Sequence, residues 1–180
     1  MNGPMKAWQR VLISLVILVF AAPLSAQQKG KTVQPVPQEK LFPFLKEFKG
    51  WKAEEPAEGQ SVKTPSGVYS EASRYYTQGE KDLDVTIRDG AFVPGAYEDF
   101  DDLKQDVGKG PNPVKETKIA GHEALELYEP KDQAATLIVK VKNRFLVFFE
   151  LTGATPKDDL KAIAGQLDWK GLEALASSGR

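Results

Sequence analysis

Leu137-Ile138-Val139-Lys140-Val141-Lys142-Asn143-Arg144-Phe145-Leu146-Val147-Phe148-Phe149-Glu150-Leu151-Thr152 is the stretch that decides the fold. Leu137, Val139 and Val141 alternate with Ile138, Lys140 and Lys142, the two-residue period of a strand. A tight reversal is expected near Lys142-Asn143, because asparagine tolerates positive φ. The strand that follows, Arg144 to Thr152, is apolar on both faces, with Phe145, Val147, Phe149 and Leu151 on one and Leu146 and Phe148 on the other. It should be central. Each such side chain, if fully buried, contributes roughly 1.5–3 kcal/mol of transfer free energy before entropy is subtracted.

Working outward toward the N-terminus, Val114 to Ile119 and His122 to Tyr128 read as a hairpin around Ala120-Gly121. Before it, a helix is expected from about Ala96 to Val107, with Tyr97, Phe100, Leu103 and Val107 as its apolar stripe and Gly108 as its stop. Glu98, Asp99, Asp101 and Asp102 lie in its early turns, where the helix dipole favours negative charge. Val68 to Thr77 and Leu83, Val85 and Ile87 give two further strands, the second with one wet face, around a turn at Gly79-Glu80. Ala53 to Pro65 lacks periodicity and reads as a surface loop. Leu41, Phe44, Leu45 and Phe48 predict a short helix from about Pro43 to Lys49, followed by Trp51, whose cluster is expected to cap one end of the core.

Toward the C-terminus, Thr155 is the expected N-cap and Pro156 the first residue of a helix carrying Leu160, Ile163, Ala164 and Leu167. Trp169, Leu172 and Leu175 extend an apolar face into a second helical turn, and Ser177 to Arg180 should fray. The fold class is therefore α+β: an antiparallel sheet of about six strands with helices packed against it.

Lys6 and Arg10 precede an apolar run from Val11 to Ala22, and Pro23-Leu24-Ser25-Ala26 offers a small residue at a cleavage point. Residues 1–26 thus read as a secretory signal peptide, too short in its apolar run for the roughly 20 residues a spanning helix needs. The expected location is a bacterial periplasm or the extracellular space. Residues 27–40, with Pro35 and Pro37, read as a flexible linker, residues 41–176 as a single domain and 177–180 as a tail. Loss of two cations with the leader would take the net charge from −1 to −3. That mild acidity argues against nucleic acid as a partner. The chain has no cysteine, which removes disulfides, zinc-thiolate sites and thiol nucleophiles.

Lys118-Ile119-Ala120-Gly121-His122-Glu123-Ala124, Val141-Lys142-Asn143-Arg144-Phe145-Leu146-Val147 and Leu160 to Leu172 together resemble the PsbP-like α+β class of small secreted proteins, over about Gly67 to Leu175. That class includes the extrinsic photosystem II subunit and many bacterial envelope proteins. The resemblance implies a fold and carries over no functional residue.

Residues able to do chemistry are sparse. His122, the only histidine, is expected as an exposed turn residue; a small hydrolase using His122 with acidic residues is the rival reading. Asp99, Asp102 and Asp106 share one helical face and read as solvated rather than as a calcium site. Asp82, Asp84 and Asp89, and Glu123 and Glu126, are further carboxylates whose mutual placement a sequence does not fix. Tyr75, Tyr76 and Trp51 read as packing rather than as a sugar platform. No nucleophile elbow, HExxH pattern or phosphate-cradling glycine run is present. No catalytic, cofactor-binding or metal residue is assigned and no cofactor is expected. The resulting expectation is an exported, non-enzymatic accessory protein binding an envelope protein or a small ligand, with a small-ligand carrier as a further alternative.

Overall fold

The computed structural model describes residues 33–65, 67–90, 93, 95 and 97–178. The leader assigned to residues 1–26, and the start of the linker to residue 32, lie outside the described residues.

The body is one antiparallel sheet of eight strands, β1 (Lys52–Ala53), β2 (Glu58–Thr64), β3 (Gly67–Gln78), β4 (Lys81–Asp89), β5 (Lys115–Ile119), β6 (His122–Glu129), β7 (Ala134–Val141) and β8 (Phe145–Thr152). The spatial order is β1-β3-β4-β8-β7-β6-β5, with β2 also pairing β3. The doubly apolar strand β8 sits between β4 and β7, as its composition requires. Its reversal from β7 is made by Lys142 and Asn143, both at positive φ (53° and 51°).

Both faces of β8 are covered, by different things. Val147 and Phe149 belong to the main core with Ala72, Leu83, Val85, Leu137 and Val139, closed by the N-terminal segment and by helices α2 (Leu160–Ala164) and α3 (Trp169–Ser178). Leu146 and Phe148 belong to a smaller core with Leu125 and Ile138, closed by helix α1 (Glu98–Gln105) through Phe100. Helix α1 is shorter than the expected Ala96–Val107 span; Val107 instead forms a parallel bridge with Val114.

Four expectations are corrected. The stretch read as a loop, Ala53 to Pro65, supplies β1 and β2, which is why the sheet has eight strands and not about six. Strand β2 is largely exposed and has the sequence EGQSVKT, so it shows no apolar alternation and owes its existence to pairing along Gly67–Ser73. The helix expected at Pro43–Lys49 is replaced by two short 3-10 turns, Gln38–Lys40 and Phe42–Phe44. The helical bond from Lys49 N–H to Leu45 O is replaced on both sides, since Lys49 N–H donates to Gln166 Oε1 at 2.7 Å and Leu45 O accepts from Arg74 Nη1 at 2.9 Å, while Lys46 O accepts from the Tyr76 hydroxyl at 2.9 Å. Leu41, Leu45, Phe48 and Trp51 are buried, in agreement with the core role expected for that cluster.

The linker read to Lys40 is, from Val33 onward, part of the packed body. Val36 is buried, its N–H donates to Asp89 Oδ2 at 2.7 Å and its carbonyl accepts from Ser70 Oγ at 2.7 Å. Finally, α2 is capped by Asp159, whose Oδ1 accepts from the N–H of Lys161 (3.0 Å) and Ala162 (3.3 Å). The expected cap, Thr155, is four residues too early; its N–H and hydroxyl close a local turn onto Asp158.

Candidate functional site

Helix α1 covers only part of the outer sheet face. Beyond it, the cross-strand register sets Tyr75 opposite Asp84, Asp84 opposite Glu150, and Glu150 opposite Thr136, in one row across β3, β4, β8 and β7. Two carboxylates thus stand directly opposite each other on the two most central strands, an arrangement that costs stability because like charges face across a ladder. Desolvation raises the Asp84 carboxyl above its ordinary range, partly offset by hydrogen bonds from Tyr75 and Thr86. Desolvation first, then the Asp84 and Asp99 charges, raises Glu150 as well, partly offset by the Arg88 charge. The Tyr75 hydroxyl is raised chiefly by Asp84, with Glu58 and Glu150 adding to it, so three carboxylates surround this one phenol.

Tyr75 is 57% exposed, the one large apolar side chain of the described body that faces solvent. Beside it, Glu58, Gly59, Gln60, Glu71, Ser73 and Thr86 line a depression of about 250 Å³. Of the basic residues in the neighbouring outer-face row, Lys140 lies over the Tyr97 and Phe100 rings, Lys118 stands at the far edge on β5, and Arg88, the one nearest these carboxylates, is already engaged. Its Nε donates to Glu71 at 2.6 Å and its Nη1 to Asp99 at 2.5 Å, and its guanidinium stacks 4.8 Å from the Phe148 ring. Glu58, Asp82, Asp84 and Glu150 have no ion-pair partner among the described residues. The open face is therefore acidic, with a phenol at its centre.

The structure separates most of the carboxylates considered from sequence. Asp82 and Asp84 share the open face, while Asp89 points into the core and pairs with Arg144. Glu123 and Glu126 alternate to opposite faces, bound to Lys104 and Lys161 respectively. Asp99 holds α1 to the sheet through Arg88, and Asp102 accepts from Gln105, so Asp99, Asp102 and Asp106 do not converge. No group of three or more metal-ligating side chains occurs among the described residues. Tyr75 and Tyr76 alternate, and Tyr76 lies in the core, where burial pushes its hydroxyl up to about 12.

His122 is not an exposed turn residue. Its side chain is 10% exposed, its ring lies 5.8 Å from that of Trp169, and Nε2 is 2.9 Å from Glu173 Oε1. That approach is off the hydrogen-bond line, so Nε2 is shut from solvent with a carboxylate near it but no aligned bond. The reason is the docking of α3 over the start of β6, which a sequence reading of the Ala120-Gly121 turn does not reveal. An Nε2 enclosed between Trp169 and Glu173 has no open path to a substrate, which weakens the hydrolase reading built on His122.

Glu150 and Arg144 were not singled out from sequence. Glu150 had a signal, being the one carboxylate inside the apolar run Phe145 to Leu151. Comparison with protein-family models, with curated proteins and with solved structures returned no match. No described helix is long and apolar enough to cross a membrane.

Proposed function

We propose that this chain is a non-enzymatic binding protein, exported by its leader, whose outer sheet face receives a basic segment of another envelope protein. One observation carries the reading: Asp84 and Glu150 oppose each other across β4 and β8 with no cation between them. A folded protein tolerates such a local violation where function repays it, and a lysine or arginine seated between the two carboxylates would relieve their repulsion and offset the cost of their desolvation. Exposed Tyr75 adds an aromatic contact of the kind that anchors interfaces and stacks on cations. We also read the fold as PsbP-like; an antiparallel sheet with helices on both faces supports that assignment.

Asp84→Asn/Glu150→Gln should trade binding against stability. Because both folded-state carboxyls are raised, the folded form binds more protons in the acid range, and their ionisation removes stability as pH rises through it. The variant is therefore expected to be more stable than the parent at pH 7, by up to about 1 kcal/mol, and equally stable below the carboxylate range. Binding is measured with a fluorescent nonapeptide of lysine, arginine and tyrosine. Saturable binding that salt weakens, reduced at least tenfold in the variant, supports the proposal. Absence of binding, or equal affinity of parent and variant, sinks it.

A further inference from the structure

On the opposite, core-side face, β5, β6 and β7 end beside the approach to α2 around a cleft of about 320 Å³. This lies at the small end of ligand-site volumes. Pro111, Pro113, Pro130 and Pro156, from three separate connections, form its walls with Tyr128 and Leu160. Proline fixes φ and offers no N–H, so these four wall residues are stiff and supply no backbone donor of their own.

The polar groups divide unevenly. Both carboxylates of the cleft are already committed: Glu126 Oε2 accepts from Lys161 Nζ at 2.9 Å, and Asp158 accepts from Lys81 and from the Thr155 N–H (2.6 Å) and hydroxyl (2.9 Å). Hydrogen bonds from Lys81 and Thr155 outweigh desolvation and hold the Asp158 carboxyl below its ordinary value, so it stays ionised and paired. The Lys115 ammonium, the Asn112 amide and the Tyr128 hydroxyl, by contrast, have no hydrogen bond or ion pair among the described residues. Lys115 stands opposite Glu126 in the β5–β6 register, but Glu126 is turned to Lys161. Glu126 and Asp158 are thus each neutralised by a lysine from outside the cleft's lining, Lys161 and Lys81, and Lys115 is the one charged side chain of the lining left without an ion pair among the described residues.

From free donors, stiff apolar walls and an unpaired cation beside two neutralised carboxylates, we infer that this cleft is a second binding site, for a small organic anion carrying one ring, its carboxylate on Lys115 and its ring against Tyr128 and the prolines. The outer-face proposal is independent of it, since the two sites lie on opposite sides of the sheet and differ in charge.

Phenylacetate, phenylacetamide and phenethylamine, titrated into the full chain by calorimetry and by amide NMR, provide the test. The expected result is saturable phenylacetate binding with shifts at Tyr128 and Thr155, at least tenfold weaker for the amide and absent for the amine. Lys115→Gln should weaken it at least tenfold, Lys115→Arg should retain it, and Asp84→Asn/Glu150→Gln should leave it unchanged. Lys115 is exposed on an edge strand, so an unaltered thermal midpoint separates lost binding from lost folding. No saturation by phenylacetate, equal affinity for the amide, or undiminished binding by Lys115→Gln would overturn the inference.

Discussion

Replacing Arg144 by alanine is expected to lower the free energy of unfolding by about 3–5 kcal/mol, the cost of stranding one partner of a buried ion pair. Arg144 is 1% exposed and Asp89 fully buried. The pair is bidentate: Nε donates to Oδ1 at 3.0 Å and Nη2 to Oδ2 at 2.9 Å. The same guanidinium donates to Ala176 O and Gln34 O, each at 3.3 Å, while Asp89 also accepts from the Val36 N–H. One arginine therefore ties together the end of β4, the start of β8, the last turns of α3 and the N-terminal segment. Asp89→Leu/Arg144→Met should recover part of the loss, because no charge is left stranded. Recovery should be incomplete, since the Val36 N–H and the Ala176 and Gln34 carbonyls lose their partners. Urea midpoints at unchanged slope give the measurement. A loss below about 1 kcal/mol for Arg144→Ala would show that the four segments are held by packing alone.

That clamp also marks where sequence reading ran out. Alternation in β4, β7 and β8 was legible because a two-residue period needs no knowledge of partners, and the Lys142-Asn143 and Ala120-Gly121 turns announce themselves by residue type. Strand β2 was illegible because its stability is borrowed from β3 and its own side chains are wet. The segment Val33–Pro37 looked like a spacer because its prolines exclude regular structure, yet extended backbone can still be captured by side chains from elsewhere, here Ser70 and Asp89. Those partners lie 34 and 53 residues away. The candidate site divides the same way. Asp84 was visible as a polar residue of an alternating strand and Glu150 as a carboxylate in an apolar one, but their opposition depends on β4 pairing with β8, a register that only the folded sheet supplies.

The two faces of β8 should differ sharply when their adjacent phenylalanines are truncated. Phe149 is fully buried in the main core, its ring 6.4 Å from that of Phe48, and the elements around it, β4, β7 and the N-terminal segment, are each pinned by other contacts. A cavity there collapses poorly, so Phe149→Ala is expected to cost about 3–5 kcal/mol. Phe148 faces the smaller core, is 7% exposed and lies under the Arg88 guanidinium, with only α1 above it. Arg88 and α1 can settle into the space, or water can enter, so Phe148→Ala should cost no more than about half as much. The smaller loss should nevertheless be the one that reaches the proposed binding surface, because Arg88, still paired with Glu71 and Asp99 but without the ring it stacks on, can settle closer to Glu150, on which its charge already acts, and weaken the negative field that a basic segment needs. Chemical denaturation of both variants, with nonapeptide affinity measured for each, separates the two effects. Equal destabilisation would mean that α1 is as firmly packed as the main core. A Phe148→Ala variant that binds as tightly as the parent would mean that the position of Arg88 does not govern the outer face.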